Sequence, residues 1–214
     1  MKTAFLLPTL NEEKQLKKLL SNLKKIGKTL VVDNNSQDKT REIAKKFADY
    51  YIFNSKNKGY SYSIKKGLKY LLDKKFQIVI TFDADGQHNY RDAIVLKNKM
   101  DSYDLIIGNR SFYNRKIEKT ISKISYKYFK VKDPLTGMKC YNLEKLNHKI
   151  RDLNLNERDY GLFFLKWIGE IKFRNIKILV NKKVKKSSMG ERSDVEEKFY
   201  KVFCKFLKEF KIKN

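Results

Sequence analysis

Short apolar runs alternate with helix-period segments through the first half of the chain, and this alternation restricts the fold more than any other feature. Apolar runs bounded by turn residues predict five buried strands, over residues 3–7, 29–32, 50–53, 76–82 and 105–107. The helices predicted between them begin at Glu12 and cover 38–47, 61–72 and 92–100. This order is typical of an α/β fold with a mostly parallel sheet and helices on both faces. Ligands of such sheets bind beyond the carboxyl ends of the strands.

The second half of the chain is less regular. It predicts helices and strands in the order helix 115–130, a turn and short strand within 133–142, helix 159–168, strand 176–180 and helix 195–212. No internal repeat is present, and no linker rich in Gly, Pro or Ser separates two domains. We therefore expect one main domain over 1–187, with a loop and an amphipathic helix over 188–214 in the same structural unit.

The charge of the chain is unusual. The 214 residues include 49 Lys and Arg against 24 Asp and Glu, which gives a formal net charge of +25. Such an excess favours nucleic acid, an anionic membrane or a phosphorylated substrate as partner. An AT-rich coding sequence would produce the same bias. Two cysteines are too few for a disulfide framework or a zinc site, which favours a reducing cytosol. No apolar run approaches the length of a bilayer span, so we expect no transmembrane helix.

Asp83 and Asp85 follow the strongest predicted strand, within the sequence TFDADGQH. Alternate residues of an extended segment point to the same side, so these carboxylates can share one hard divalent cation whose coordination phosphate oxygens complete. Gln87 can supply a further, neutral oxygen ligand. An isolated D-x-D pair is more often a polar turn, but here the preceding apolar run places both acids at the end of a buried strand.

Two loops after the first two strands carry polar groups. Asp33 can accept hydrogen bonds from a nucleobase or brace an Asx-turn, and Asp38 is a candidate helix N-cap. Asn11 and Glu12 follow Pro8 and open a helix whose N-terminal amides favour anions.

Two more loops follow later strands. Gly59 permits close backbone approach before a helix, and Arg110 ends a strand in a position suited to a phosphate. Each of these features is ordinary alone, whereas their order and spacing together indicate a ligand site.

The segments PTLNEE, VVDNNSQDKT, NKGYSYSIKKG, TFDADGQH, GNRS and DPLTGMKCYN, in this order, resemble the family 2 glycosyltransferases of GT-A fold. The likeness is greatest to the dolichyl-phosphate mannose synthase and polyprenyl-phosphate branch, good over 3–145 and loose over 146–214. It implies an inverting transfer of mannose or glucose from a nucleoside diphosphate sugar, GDP-mannose or UDP-glucose, to a polyprenyl (dolichyl) phosphate, with Mg²⁺ or Mn²⁺ as cofactor. Such a phosphate is already an anion and attacks without the strong base that an alcohol requires.

The resemblance also assigns roles to individual residues. The nucleotide-sugar site takes Pro8, Leu10, Glu12, Asp33, Gly59 and Asp83, and the metal site takes Asp83, Asp85 and Gln87. The catalytic residues are Asp85, Arg110, Asp133 and Asp159. Relatives carry an acid after DP-x-SG, and Asp159 is expected to replace it from a different position in the sequence. The acceptor or its phosphate takes Arg110, Lys132, Arg192 and Ser193. Gly137 is expected to allow the tight turn of the DP-x-[ST]-G signature.

Two lysine-rich segments carry an apolar stripe at helical spacing. The members are Ile117, Ile121, Ile124 and Tyr128 in the first, and Val195, Phe199, Val202, Phe206 and Phe210 in the second. Such a stripe either packs on the core or lies in a membrane interface, and the resemblance to enzymes with lipid acceptors favours the membrane. We therefore expect a protein peripheral on the cytoplasmic face of a membrane. A separate membrane subunit would be compatible with that location.

Several alternatives stay open from the sequence. One is a transferase that acts on a glycan or another hydroxyl acceptor, and others are a nucleic-acid-binding protein and an inactive transferase-like protein. The acids at strand ends would repel a nucleic-acid backbone, and no helix-turn-helix, RNA-recognition or zinc pattern is present, so no nucleic-acid partner is expected. A nucleotidyltransferase would carry a Gly-rich basic loop after the first strand, which PTLNEE lacks.

Overall fold

The computed structural model describes residues 1–113, 115–181 and 193–213. Its strands are β1 Thr3–Thr9, β2 Lys28–Asp33, β3 Tyr50–Phe53, β4 Ile78–Thr81, β5 Leu105–Arg110, β6 Lys139–Asn142 and β7 Phe173–Ile178. Its α-helices are α1 Glu13–Leu23, α2 Thr40–Phe47, α3 Tyr60–Asp73, α4 Tyr90–Asn98, α5 Lys116–Phe129, α6 Asn147–Arg151 and α7 Ser193–Lys213. Short 3₁₀ helices cover Met100–Ser102 and Phe163–Trp167.

The seven strands form one sheet in the order β3-β2-β1-β4-β6-β5-β7. All neighbours are parallel except β6, which runs antiparallel to β4 and β5. The predicted α/β fold with a mostly parallel sheet is thereby confirmed, and the antiparallel strand in its middle is a feature that the sequence did not predict. Because β6 is reversed, its first residue, Lys139, and the DPLTG segment before it lie at the carboxyl ends of β4 and β5.

Helices cover both faces of the sheet. Along β1 the side chains alternate, so that Ala4 and Leu6 join one buried cluster while Phe5 and Leu7 join the other. The first cluster is covered by α3, α5, α6 and α7, and the second by α1, α2 and α4. Such burial of both faces explains why the strands are continuously apolar rather than alternating.

The apolar stripe of α7 faces the core. Phe199, Phe203 and Phe206 are buried, and Phe203 packs edge-on against Phe129 of α5 with ring centroids 6.4 Å apart. The stripe of α5 packs on the same buried cluster as α7. Ile121 is fully buried in that cluster, and Ile117, Ile124 and Tyr128 are partly buried against it. The expectation that these stripes lie in a membrane interface is therefore wrong for the described side chains. Burial in the core was the alternative that the spacing allowed.

The predicted helix over 159–168 does not form. Tyr160 and Gly161 have φ of 52° and 80°, in the left-handed region that interrupts an α-helix, and only the 3₁₀ turn Phe163–Trp167 follows. Within the described residues, no helix combines the length and apolar character needed to cross a membrane.

Candidate active site

A cavity of about 390 Å³ opens at the carboxyl ends of β1, β4 and β5. Strand ends, the first turns of helices and one residue of α7 line it together. The lining residues are Pro8, Thr9, Leu10, Glu12, Asn34, Asn57, Gly59, Tyr60, Ser63, Asp83, Ala84, Asp85, Gln87, Arg110, Arg115, Glu118, Leu135, Gly137, Tyr160 and Phe199. The cavity lies where an α/β sheet of this kind is expected to bind its ligand.

The loop after β4 brings the predicted metal ligands together. Asp83, Asp85 and Gln87 all line the cavity, and the backbone amide of Gln87 donates to Asp85 Oδ1 over 3.1 Å. Two carboxylates and a side-chain amide offer oxygen ligands of the kind that Mg²⁺ and Mn²⁺ prefer. No cluster of three or more His, Cys, Asp or Glu able to hold a metal occurs among the described residues. The residues therefore fit an open cation site that depends on oxygens from a ligand.

Asp83 is held by groups from three separate segments. His88 Nε2 lies 3.2 Å from its Oδ2, and a Cβ added to Gly137 would lie 1.9 Å from the same oxygen. Burial, then the charge of Asp83 and a hydrogen bond with it, raise the pKa of Tyr60 well above its ordinary value. Tyr60 is therefore a protonated neighbour of this carboxylate.

A turn does form in the DPLTG segment, where the Thr136 amide donates to the Asp133 carbonyl over 3.5 Å. Gly137 follows this turn without a positive φ. What Gly137 provides in addition is space for Asp83.

Arg110 is bound by two acids. Its Nε and Nη2 donate to the two oxygens of Asp133 over 2.7 and 3.0 Å, and its Nη1 donates to Glu118 over 3.3 Å. Burial alone would lower the pKa of Arg110, but Asp133 and then Glu118 outweigh it and raise the pKa above its ordinary value. Arg110 lines the cavity as predicted, whereas Asp133 is buried behind it and does not. Asp133 therefore positions Arg110 and does not itself line the cavity, contrary to its predicted catalytic role.

Asp159 is buried away from the cavity lining. It forms an ion pair with Lys65 Nζ, accepts from Ser61 Oγ, and accepts from the Gly161 amide over 2.9 Å. Lys65 is fully buried and also donates to the Asn154 and Glu157 carbonyls. The structure therefore places this acid in a brace between α3 and the loop before Phe163, rather than beside a reacting group.

The Asp33 carboxylate is used within its own turn. It accepts from the Ser36 amide over 3.2 Å and from the Ser36 and Thr9 hydroxyls, and its side chain is fully buried. The neighbouring Asn34, which was not among the predicted site residues, lines the cavity instead. The sequence allowed Asp33 either to brace a turn or to bind a nucleobase. The structure shows the turn-bracing contacts, and nucleobase recognition by Asp33 stays a prediction.

The loops after β1 and β2 bind each other. Asp38 accepts from the Thr40 amide over 2.9 Å and from the Glu13 amide over 3.2 Å. The predicted N-cap role is wrong, because α2 begins at Thr40 and its N-cap is Lys39. The Thr40 hydroxyl accepts from the Glu12 amide over 2.7 Å. The first amides of α1 are thus engaged within the protein, contrary to the expectation that they attract a ligand anion.

The remaining predicted residues are placed as follows. Pro8, Leu10, Glu12 and Gly59 line the cavity. Gly59 has φ of 89° and nothing within 4 Å of an added Cβ, so its role is the backbone conformation and not close approach. Lys132 is exposed and does not line the cavity. Arg192 lies outside the described residues, and only the backbone of Ser193 is described.

Several lining residues were not predicted. Tyr60 and Arg115 lie next to segments already selected, at the start of α3 and just before α5, so their proximity along the chain was the available signal. Glu118 points inward from the first turn of α5. Tyr160 and Phe199 meet in an edge-to-face pair with centroids 4.6 Å apart, a contact between distant parts of the chain that no local pattern indicates.

Comparisons with known proteins agree with this geometry. Residues 5–165 match the family described as Glycosyl transferase family 2. Among relatives with a named activity, the UDP-N-acetylglucosamine–dolichyl-phosphate N-acetylglucosaminyltransferase of Methanococcus voltae is 24% identical over 211 residues, covering 80% of this chain and 84% of the relative. The dolichol-phosphate mannosyltransferase of Pyrococcus furiosus is 29% identical over 161 residues, covering 64% of this chain and 45% of the relative.

The fold is also similar to that of a solved enzyme. The glucosyl-3-phosphoglycerate synthase of Mycobacterium tuberculosis, in complex with Mn²⁺, UDP-glucose and phosphoglyceric acid, aligns with a TM-score of 0.75 at 12% identity. The alignment covers 96% of this chain and 79% of that one. At this identity the likeness concerns the fold alone, and it confirms the expected GT-A architecture.

Proposed function

The chain belongs to glycosyl transferase family 2, and from that membership and the geometry of its cavity we propose that it transfers a hexose from a nucleoside diphosphate sugar to a polyprenyl phosphate. Glycosyltransferase activity follows from the family; the donor, the cation and the acceptor are the proposal. Each of the three is supported by different residues of the cavity.

The donor is proposed to lie between the loop after β1 and the loop after β4. Pro8, Leu10 and Glu12 line the cavity from the first of these segments, and Asp83 and Asp85 line it from the second. Mannose and glucose, carried by GDP or UDP, are the proposed donor sugars. The N-acetylglucosamine named for the Methanococcus relative adds a third sugar to test.

Asp85, Asp83 and Gln87 are the residues that would hold Mg²⁺ or Mn²⁺. A cation bound there would neutralise the diphosphate leaving group, which is the chemistry a metal supplies in such transfers. Within the chain, His88 contacts the Asp83 carboxylate and Gly137 leaves the space that this carboxylate occupies.

The acceptor proposal rests mainly on where the carboxylates are. Asp159 is in a buried ion pair with Lys65, and Glu118, which does line the cavity, is bound by Arg110 and Arg115. The other lining acids in the described part of the chain belong to the proposed donor and metal segments. No described carboxylate is therefore placed as a general base for an alcohol. A phosphate acceptor requires none, because its oxygen is already anionic and can attack the anomeric carbon as the bond to the diphosphate breaks, with inversion.

A transfer assay tests this proposal. The purified protein is given UDP-glucose, UDP-N-acetylglucosamine or GDP-mannose with Mn²⁺, and either a short polyprenyl phosphate or the matching polyprenol. These two acceptors differ only in the phosphoryl group. We expect transfer to the phosphate and at least ~100-fold less to the alcohol, since general base catalysis contributes about that factor. Comparable transfer to the alcohol or to a glycan would contradict the proposal.

A matched pair of variants tests the cation site in the same assay. Asp85→Asn removes a carboxylate from the cavity, whereas Asp101→Asn removes an exposed one from the 3₁₀ turn Met100–Ser102. We expect Asp85→Asn to lose metal-dependent transfer and Asp101→Asn to keep it. Equal activity of both variants would rule out this metal assignment, and absence of transfer by the unaltered protein with every donor would favour an inactive transferase.

A further inference from the structure

The outer face of α5 carries lysines and no exposed acid. Lys116, Lys119, Lys123 and Lys127 are exposed along it. The only acid of the helix, Glu118, is buried and contacts Arg110 and Arg115. Among the described residues, none of these lysines forms a salt bridge. Their charge is therefore presented to solvent along the whole helix.

The other long helices differ in this respect. Within the described chain, every other helix of eight or more residues has an acid that is not buried: Glu13, Glu42, Asp73, Asp92 and Glu197. On α7, Lys201 pairs with Glu197 and Lys205 with Glu209, both at i,i+4 spacing. The general excess of lysine in this chain therefore does not explain α5, since each of the other long helices carries at least one acid that is not buried.

The end of α5 adds an aromatic residue and two more lysines. Tyr126 is 50% exposed, and the Nζ atoms of Lys130 and Lys132 lie 6.0 and 5.8 Å from the centre of its ring. Asn175 of β7 donates to the Lys130 carbonyl and accepts from the Lys132 amide, both over 2.9 Å. The backbone that carries both lysines is thus fixed beside Tyr126. We name the exposed residues Lys116, Lys119, Lys123, Tyr126, Lys127, Lys130 and Lys132 the lysine face.

The geometry points to the lysine face as the surface by which this protein docks on an anionic lipid bilayer. Lysines near an anionic leaflet are attracted to it, and an exposed tyrosine suits the interface. The face starts one residue after Arg115, which lines the cavity, so one end of a bilayer contact on this face would lie near the cavity lining. Because the apolar stripe of α5 is packed on the core, the contact is electrostatic and does not insert the helix. The inference rests on the proposed function, which places the acceptor in a membrane.

Vesicle binding tests the lysine face with two triple variants. Lys119→Gln, Lys123→Gln and Lys127→Gln neutralise it, and Lys14→Gln, Lys18→Gln and Lys25→Gln remove the same charge from exposed positions on or just after α1, on the opposite face of the sheet. The full-length protein is sedimented with vesicles of phosphatidylglycerol and phosphatidylcholine, or of phosphatidylcholine alone. We expect the α5 variant to lose partitioning about 100-fold, since each lysine near the leaflet contributes about five-fold. The α1 variant should lose less than about three-fold, and binding should weaken with salt.

Three outcomes would overturn the inference: equal losses in both triple variants, no loss in either, or binding that does not require phosphatidylglycerol. A duplex RNA competitor supplies a fourth, because tighter RNA binding that also depends on the α5 lysines would make nucleic acid the partner. The transfer assay with short polyprenyl phosphate in detergent is run on the same variants, and the α5 variant should retain activity there. Failure of the unaltered protein to transfer refutes the proposed function, whereas failure of the unaltered protein to bind phosphatidylglycerol vesicles refutes only the inference about the lysine face.

Discussion

The carboxylate of Asp83 occupies the space that a side chain on Gly137 would need: an added Cβ would lie 1.9 Å from Asp83 Oδ2 and 2.2 Å from Cγ. The two residues are 54 positions apart and meet because β6 runs antiparallel to β4. Backbone and carboxylate are thus packed directly against each other in the cavity lining. This contact joins the DADG loop to the DPLTG segment and makes the position of Asp83 dependent on both.

Gly137→Ala is predicted to displace Asp83 and weaken metal-dependent nucleotide binding. Residues that orient the groups around a metal typically contribute 10- to 100-fold to affinity, so we expect a loss of about 10-fold or more. Titration calorimetry with UDP and Mn²⁺ measures it. Gly169→Ala is the control, because Gly169 has φ of 98° and open space around it, so it should cost stability but leave binding unchanged. Unchanged binding by Gly137→Ala would show that Asp83 is not needed in this position.

Asp159→Asn is predicted to destabilise the fold because it leaves the buried Lys65 ammonium with only the more distant Glu157 carboxylate, 3.9 Å away, as a charged partner. Breaking a buried pair costs about 3–5 kcal/mol, and urea unfolding measures this loss. Asp152→Asn, at an exposed carboxylate nearby in the chain, should cost less than about 0.5 kcal/mol. If Asp159→Asn instead kept its stability and lost transfer, the acid would act in catalysis after all.

The buried side chain of Lys139 is predicted to make the unfolding free energy of the protein depend on pH. Burial lowers its pKa from 10.5 to about 8, although Asp133 and Asp83 oppose the shift. Between these values the unfolded chain binds a proton that the folded chain has released, so stability rises with pH there. We expect the unfolding free energy of the protein, relative to Lys139→Met, to rise by roughly 3 kcal/mol from pH 8 to pH 10.5 and to stay level below pH 7. A flat difference across this range would contradict the lowered pKa.

Phe203→Ala is predicted to destabilise the protein in the absence of any lipid. Its ring is fully buried between α7 and α5, and truncating a buried phenylalanine costs about 3–5 kcal/mol. Tyr200→Ala, one turn away and 44% exposed, should cost much less. Urea unfolding compares the two. Equal, small effects would mean that α7 is not packed on the core in solution and would restore the membrane-interface interpretation of its stripe.

Local pattern was sufficient for most of the first half of the fold. The predicted strand 50–53 has the bounds of β3, and the other early strands and helices differ at their ends by a few residues. Apolar runs identify buried strands because both faces of this sheet are covered, and each strand then ends in a polar loop at one edge. For the same reason the loops carrying Pro8, Glu12, Asp85 and Arg110 could be assigned to one cavity before the structure was known.

Roles that depend on distant neighbours were assigned less well. The sequence suggested only a turn for Gly137 and close approach for Gly59, whereas the structure also requires space at Gly137 and has a positive φ at Gly59. Asp159 looked like a catalytic acid because it follows the DPLTG segment, but Lys65, 94 positions earlier, pairs with it. The stripe of α7 allowed two partners, and only the packing of Phe199 and Phe203 on the core decided between them.

Periodicity and short motifs were therefore enough to assign the fold class, the family and the set of strand-end loops that form the cavity. Three-dimensional packing sets which polar groups face the cavity and which are paired within the protein. Arg110 pairs with Asp133, and Asp159 pairs with Lys65. A charged side chain that is already paired with a buried opposite charge is less available to a ligand. The sequence does not show such pairs, because the two partners are far apart along the chain.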